Sequence, residues 1–228
     1  GGSPQDHRSG VAADAGDVYR QAELYEEMEE KDAHLSSQLQ TRKNAVLGLD
    51  YDVQPYSDSA EDKKIAEFCA DVLFNNLDIE EPMLDLLDAV GKGFSLAELV
   101  WGTDGGRAVI DRINWIHQKR AVFTEYGAGM WEKDRQAPRI VTEAEPSRGE
   151  DLPPFKLVYH RYKARSGYDT RAGVLRVCSW MFLFKNYAIK DWVAFAELFG
   201  MPIRLGKYDS GASKADKDAL ITAIQSIG

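Results

Sequence analysis

The run Val174-Leu-Arg-Val-Cys-Ser-Trp-Met-Phe-Leu-Phe-Lys-Asn-Tyr-Ala-Ile-Lys-Asp-Trp-Val-Ala-Phe-Ala-Glu-Leu-Phe199 is the longest apolar stretch of this chain. Read as one α-helix, its 26 residues span roughly 39 Å at 1.5 Å per residue. Trp180, Met181, Phe182, Leu183, Phe184, Tyr187, Ile189, Trp192, Val193, Phe195, Leu198 and Phe199 occupy most of its circumference. A helix apolar nearly all round must be covered on several sides. An ordinary core position would do this. A chain of 228 residues offers limited internal cover, so packing against another subunit is the competing reading. Gly200 and Pro202 end the helix. Ile203, Leu205 and Tyr208 then alternate as a short strand. Ser213 and Asp216 cap a last helix carrying Leu220, Ile221, Ile224 and Ile227.

Upstream of the helix, the pattern mixes helices with strands. Val18, Ala22, Tyr25, Met28, Leu35, Leu39 and Val46 recur at helical spacing over 17–47, with a break near Asp32 and a left-handed cap at Gly48. Leu49, Tyr51 and Val53 alternate with polar residues as a half-buried strand closed by Pro55. Ser59 and Asp62 open a helix running to about Leu77, with Ile65, Phe68, Cys69, Val72 and Leu73 on one stripe. Pro82 suits the first turn of the next helix, which stops at Gly91-Lys92-Gly93. Residues 94–101 and 108–116 form a hairpin around Thr103-Asp104-Gly105-Gly106. Short strands and loops follow, with an exposed insertion expected around 142–152. Phe155, Leu157 and Tyr159 restart a strand. Residues 163–173 form a polar, basic loop.

Composition narrows the function. Twenty-eight basic against 37 acidic residues leave a net charge of −9. A generally basic coat for nucleic acid is excluded, whereas handling nucleic acid without gripping it is not. Cys69 and Cys178 sit in apolar runs and read as buried thiols, with no Cys-x-x-Cys pair for zinc or redox chemistry. No apolar run reaches the ~18 residues of a membrane span. Residues 1–16 lack a signal-peptide core and read as a disordered terminus or cloning scar. The histidines show no metal-ligand spacing, and Gly91-Lys92-Gly93 lacks the phosphate-loop pattern and reads as a helix end. His117 and His160 read as satisfied structural histidines. Glu26, Glu27, Glu29 and Glu30 read as a solvated helix face. Two basic stretches remain. Arg161, Lys163, Arg165, Arg171 and Arg176 stand against Asp169, and Arg204, Lys207, Lys214 and Lys217 against Asp209 and Asp216. Each is a solvated loop or a contact for phosphates or an acidic surface.

Lys185-Asn-Tyr-Ala-Ile-Lys-Asp-Trp-Val-Ala-Phe-Ala-Glu-Leu-Phe-Gly-Met-Pro-Ile-Arg-Leu-Gly-Lys-Tyr208 resembles the portal proteins of Mu-like tailed phages and prophages. Thr41-Arg42-Lys43 before an apolar-Gly turn, the strand Gly93-Phe-Ser-Leu-Ala-Glu98 through Trp101, and Arg171-Ala-Gly-Val-Leu-Arg176 are similar to further segments of that family. The likeness spans about residues 17–228.

The resemblance implies an α+β fold. A wing-like domain of helices, short antiparallel strands and a hairpin (17–160) is followed by the basic loop (161–173). A stem-type helix and a short clip-like strand come next (174–228). Family members are about twice as long, so the chain corresponds to an N-terminal portion. The implied role is a non-catalytic ring, typically of twelve subunits, at one capsid vertex. Double-stranded DNA passes transiently through its channel, and the terminase large subunit, the capsid and head–tail connector proteins are its partners. The implied location is the virion, after assembly in the host cytoplasm. No cofactor, metal or membrane is implied. Trp180, Phe184, Trp192 and Phe195 become candidate core or inter-subunit anchors, since aromatics dominate such contacts. Arg165, Arg171, Lys185, Lys190, Arg204 and Lys207 become candidates for the channel, phosphates or an acidic neighbour. Two other classes compete. One is an adaptor docking a single partner through the apolar helix. The other is a magnesium-dependent nucleic-acid enzyme using Glu98, Asp111 and Asp169.

Overall fold

The computed structural model describes residues 17–123, 138–200 and 205–226. It divides into two compact units, Gly1–Phe182 and Leu183–Gly228. The expected break at Asp32 is a helix cap. Helix α1 (Tyr19–Lys31) ends there, and the Asp32 carboxylate accepts from the His34 and Leu35 amides to start α2 (Ala33–Leu47). Gly48 closes α2 without a left-handed turn, at φ −78°. Val18, Ala22, Tyr25, Met28 and Leu39 are buried as the spacing predicts, while Val46 is exposed.

Residues 49–54 form no strand. Period-two patterning needs a partner strand to take its hydrogen bonds, and this segment is paired with none. Instead Tyr51 rests against Phe74, ring centroids 5.7 Å apart. Helix α3 (Ala60–Ala70), capped by Ser59, widens into a π-turn at Asp71–Asn76. Its buried side carries Ala66 and Val72, while Ile65 points to solvent, contrary to the predicted stripe. Short helices α4 (Glu80–Leu86) and α5 (Ala89–Lys92) follow, and Gly93 ends α5 in the left-handed region at φ 97°.

The hairpin forms as expected. Strands β1 (Phe94–Asp104) and β2 (Arg107–Ile116) join through Gly105 and Gly106, both at positive φ, with a bulge between Val100 and Trp101. Two short strands, β3 (Ala121–Val122) and β4 (Arg139–Ile140), pair with each other. Strand β5 (Leu157–Arg161) pairs antiparallel with β1, giving the sheet order β2-β1-β5. Phe155 does not join β5. It is exposed at φ 60°, and its carbonyl accepts from the Trp101 indole. Residues 143–148 of the expected insertion are exposed, while the Ile140 and Glu150 backbones pair at its base.

Register explains the core. Leu96 lies between Ile116 on β2 and Tyr159 on β5. These residues pack with Val18, Phe94, Ala121, Phe123 and Ile140. Phe94 meets Phe123 edge-on at 5.1 Å, a favoured aromatic geometry. A second cluster holds Tyr25, Met28, Leu39 and Leu175, with Cys178 and Phe182 against it. Helix α6 (Val174–Phe199) matches the predicted bounds and carries Leu175 into that cluster. Both cysteines are half-buried thiols rather than fully buried ones.

In the second unit, α7 (Lys214–Gln225) has the capping box read from Ser213 and Asp216. The strand expected over 203–208 is absent from its described part, since residues 205–209 have no regular structure. That segment packs on α7 instead. Gly206 lies so close to Ile224 and Leu220 that a Cβ there would meet the Ile224 Cδ1 at 2.4 Å.

Candidate functional site

The base of α6 is held by backbone-to-backbone contact. A Cβ on Gly173 would lie 2.2 Å from the Gly91 carbonyl oxygen, and one on Gly93 would lie 2.2 Å from the Asp169 oxygen. Only glycine permits this approach. Leu175, fully buried, then anchors the first turn of α6 on α1 and α2. The basic loop is therefore not wholly solvated, because Asp169 and Thr170 are buried beside this crossing.

Beneath the crossing lies a network of buried charges. The Asp88 carboxylate accepts from the Lys43 ammonium at 2.9 Å, the Lys92 ammonium at 2.7 Å and the Gln118 amide at 2.8 Å. Burial by itself would raise the Asp88 carboxyl, but Lys92 and Lys43 hold it below the ordinary range. Lys92 is held above its ordinary value, since Asp88 and Glu29 outweigh burial. Glu29 sits 3.6 Å from Lys92, and burial pushes its carboxyl up. Glu26 binds His117 and, at 2.6 Å, Lys119. His117 Nδ1 accepts from the Lys119 amide, so its Nε2 carries the proton toward Glu26. Burial lowers its pKa, so this neutral form is favoured. The acidic face of α1 is thus only half solvated. Glu26 and Glu29 turn inward because α1 packs on α5 and the turn Gln118–Arg120. His160 is also lowered by burial. Sequence reasoning passed over Asp88 as a network centre. Its one legible signal was a carboxylate four residues before Lys92 in a helix.

Beyond its base, α6 presents an apolar surface. Val177, Met181, Phe184, Ala188, Trp192, Phe195 and Phe199 recur at steps of four and three, which place them on one stripe. All of them are exposed. Phe195 and Phe199 lie with ring centroids 4.7 Å apart. The four candidate anchors range from 47% exposure at Trp180 to 72% at Trp192. In the first unit, α6 joins the cluster at its base through Leu175, Cys178 and Phe182. An exposed aromatic stripe of this extent is a candidate interaction surface.

Within the first unit, the cationic candidates Arg165 and Arg171 have different surroundings. Arg165 is exposed at the tip of the loop. Arg171 stacks over the Tyr168 ring at 4.8 Å. Arg161 lies 3.8 Å from Asp169, which also accepts from the Tyr159 hydroxyl at 2.8 Å. Lys185 and Lys190 lie along the exposed part of α6, Lys207 is exposed beside α7, and Arg204 lies outside the described residues. The three acids of the enzyme reading have separate partners. Glu98 pairs with Lys156 at 2.6 Å, Asp111 with Arg112 at 3.3 Å, and Asp169 with Tyr159 and Arg161. Among the described residues no group of three metal-ligating side chains converges, and no helix is long and apolar enough to cross a membrane.

A family model described as the portal protein of Mu bacteriophage matches residues 22–228. The chain is 35% identical over 220 residues to the Mu-like prophage FluMu protein gp29 of Haemophilus influenzae, covering 95% of this chain and 41% of that protein. It is also 35% identical over 217 residues to the portal protein of Escherichia phage Mu, again covering 95% and 41%. The chain therefore spans about two fifths of the length of these curated relatives.

Proposed function

The chain belongs to the family of Mu bacteriophage portal proteins, and on that premise we propose that it is part of a non-catalytic ring subunit at a capsid vertex. The ring encloses a channel for double-stranded DNA and docks the terminase large subunit, the capsid and head–tail connector proteins. Its place is the mature virion, reached by assembly in the host cytoplasm. Twelve copies are the number the resemblance implies. Residues 17–160 supply the wing, α6 enters the stem, and residues 203–208 lie toward the clip.

The observation that supports this reading is the exposed apolar stripe of α6. Burying an aromatic stripe of this kind against a second copy removes large apolar area from water, at roughly 25 cal/mol per Å². Trp192 and Phe195 are the central anchors of that contact, with Trp180 and Phe184 nearer the base. Lys185, Lys190 and Lys207 face the channel or an acidic neighbour. Mass photometry and negative-stain imaging of the complete gene product test the proposal. Closed rings are expected. A complete product that stays monomeric at micromolar concentration overturns it.

A further inference from the structure

Beside the π-turn lies an open cavity of about 420 Å³ that the α6 contact leaves unused. Tyr51, Phe74 and Leu77 give it an apolar wall, Asp78 and Glu80 give it a negative rim, and no Lys, Arg or His lines it. The Tyr51 and Phe74 rings are tilted by 38° with centroids 5.7 Å apart. The Tyr51 hydroxyl is held above its usual range by desolvation first, then by the charges of Glu80 and Asp78 and a hydrogen bond to the Glu80 carboxylate. Aromatic faces joined to carboxylates suit a planar cation, above all a guanidinium that can stack and pair at once. π-turns recur at functional sites, and this one carries Phe74.

A complementary feature lies elsewhere in the same unit. Arg161 and Arg171 of the basic loop are engaged by Asp169 and Tyr168. Lys163 and Arg165 are exposed at its tip, which is bounded by Gly167 at φ 105°. The sheet order is β2-β1-β5. The π-turn packs on β2, while the loop leaves the far edge at the end of β5. The π-turn beside the cavity therefore packs on one edge strand of the sheet and the basic loop follows the other. Complementary patches on opposite sides generate head-to-tail contacts, whereas a self-complementary patch generates a closed pair.

We propose that the cavity formed by Tyr51, Phe74, Asp78 and Glu80 in one copy receives Arg165 of the next copy, with Lys163 on its acidic rim. This rests on the ring reading and adds a second, electrostatic contact to it. Charge reversal in the complete gene product tests it, with assembly followed by sedimentation velocity and fold checked by circular dichroism. Asp78→Lys with Glu80→Lys is expected to weaken assembly about tenfold, and Lys163→Glu with Arg165→Glu by a similar factor. Combining all four substitutions is expected to restore assembly to within about threefold, which misfolding by either pair could not do. If the wild-type assembles and the reversals change nothing, or the fourfold variant stays as weak as its parents, this contact is wrong and the ring reading stands. If the wild-type does not assemble at all, both fall together.

Discussion

At the scale of residues, two glycines and one carboxylate carry the heaviest constraints. Gly93→Ala places a methyl group 2.2 Å from the Asp169 carbonyl oxygen at a positive φ. Backbone would have to move, and a loss of at least about 3 kcal/mol is expected from chemical denaturation. Gly173→Ala meets the Gly91 oxygen at the same distance and is expected to behave alike. Asp88→Ala leaves Lys43 and Lys92 buried without their shared counter-ion. The expected cost is about 3–5 kcal/mol. The pH dependence follows from the directions of the shifts. Asp88 is depressed, so its stabilisation is complete above the unfolded value of about 3.9 and is lost as pH falls through the lower folded value. Lys92 is raised, so its share is complete below about 10.4 and is lost as pH rises through the folded value. Glu29 is raised, so its contribution is greatest below about 4.3 and declines as pH climbs through its folded value. Urea midpoints across pH 2–5 should show a loss below about pH 4 in the wild-type that is reduced in Asp88→Asn.

Among elements, α6 is where folding can be tested apart from the proposed assembly. Trp192 is 72% exposed, so Trp192→Ala should change folding stability by no more than about 0.5 kcal/mol. The same substitution is expected to remove or greatly weaken ring formation, because a central aromatic anchor is lost. Normal assembly of Trp192→Ala would place the subunit contact off this stripe. Helix α7 offers a local check. The Ser213 hydroxyl accepts from the Asp216 amide, and the Asp216 carboxylate accepts in return from the Ser213 amide. Ser213→Ala should cost about 1 kcal/mol, read as faster amide exchange in the first turn. The elements also show where patterning was enough. The caps at Asp32, Ser59 and Ser213, the hairpin turn and the bounds of α6 depend on neighbours a few residues apart. Residues 49–54 and 203–208 alternate as strands should, yet a strand needs a distant partner, and 49–54 and the described residues 205–209 have none.

For the whole molecule, the proposed passage of DNA makes net charge the quantity to test. These 228 residues carry −9, so in the proposed ring they contribute an acidic body around a polyanion. Phosphate contacts made by Lys and Arg raise affinity at each step and would hold a sliding duplex back. Duplex DNA in fluorescence anisotropy should therefore bind the assembled ring no more tightly than about 1 µM at physiological salt. Nanomolar binding there would show a gripping channel instead. The proposed contact between basic loop and acidic cavity is also electrostatic, so assembly should weaken with added salt over the range where a ~10 Å screening length contracts.

Local patterning determined most of the helices, the hairpin and the apolar excess of α6, because those depend on spacing along the chain. The family, too, could be read from the stretch 185–208. Three-dimensional packing decided the rest. It gathered Lys43, Asp88, Lys92, Gln118 and Glu29 around one buried carboxylate, and Glu26, His117 and Lys119 into a half-buried group, from distant parts of the chain. It turned half of an acidic helix face inward and brought the glycines at 91, 93 and 173 to one crossing. It also left Trp180, Phe184, Trp192 and Phe195 exposed. Helical spacing shows that a face is apolar, but what covers that face depends on which other surfaces the fold leaves within reach.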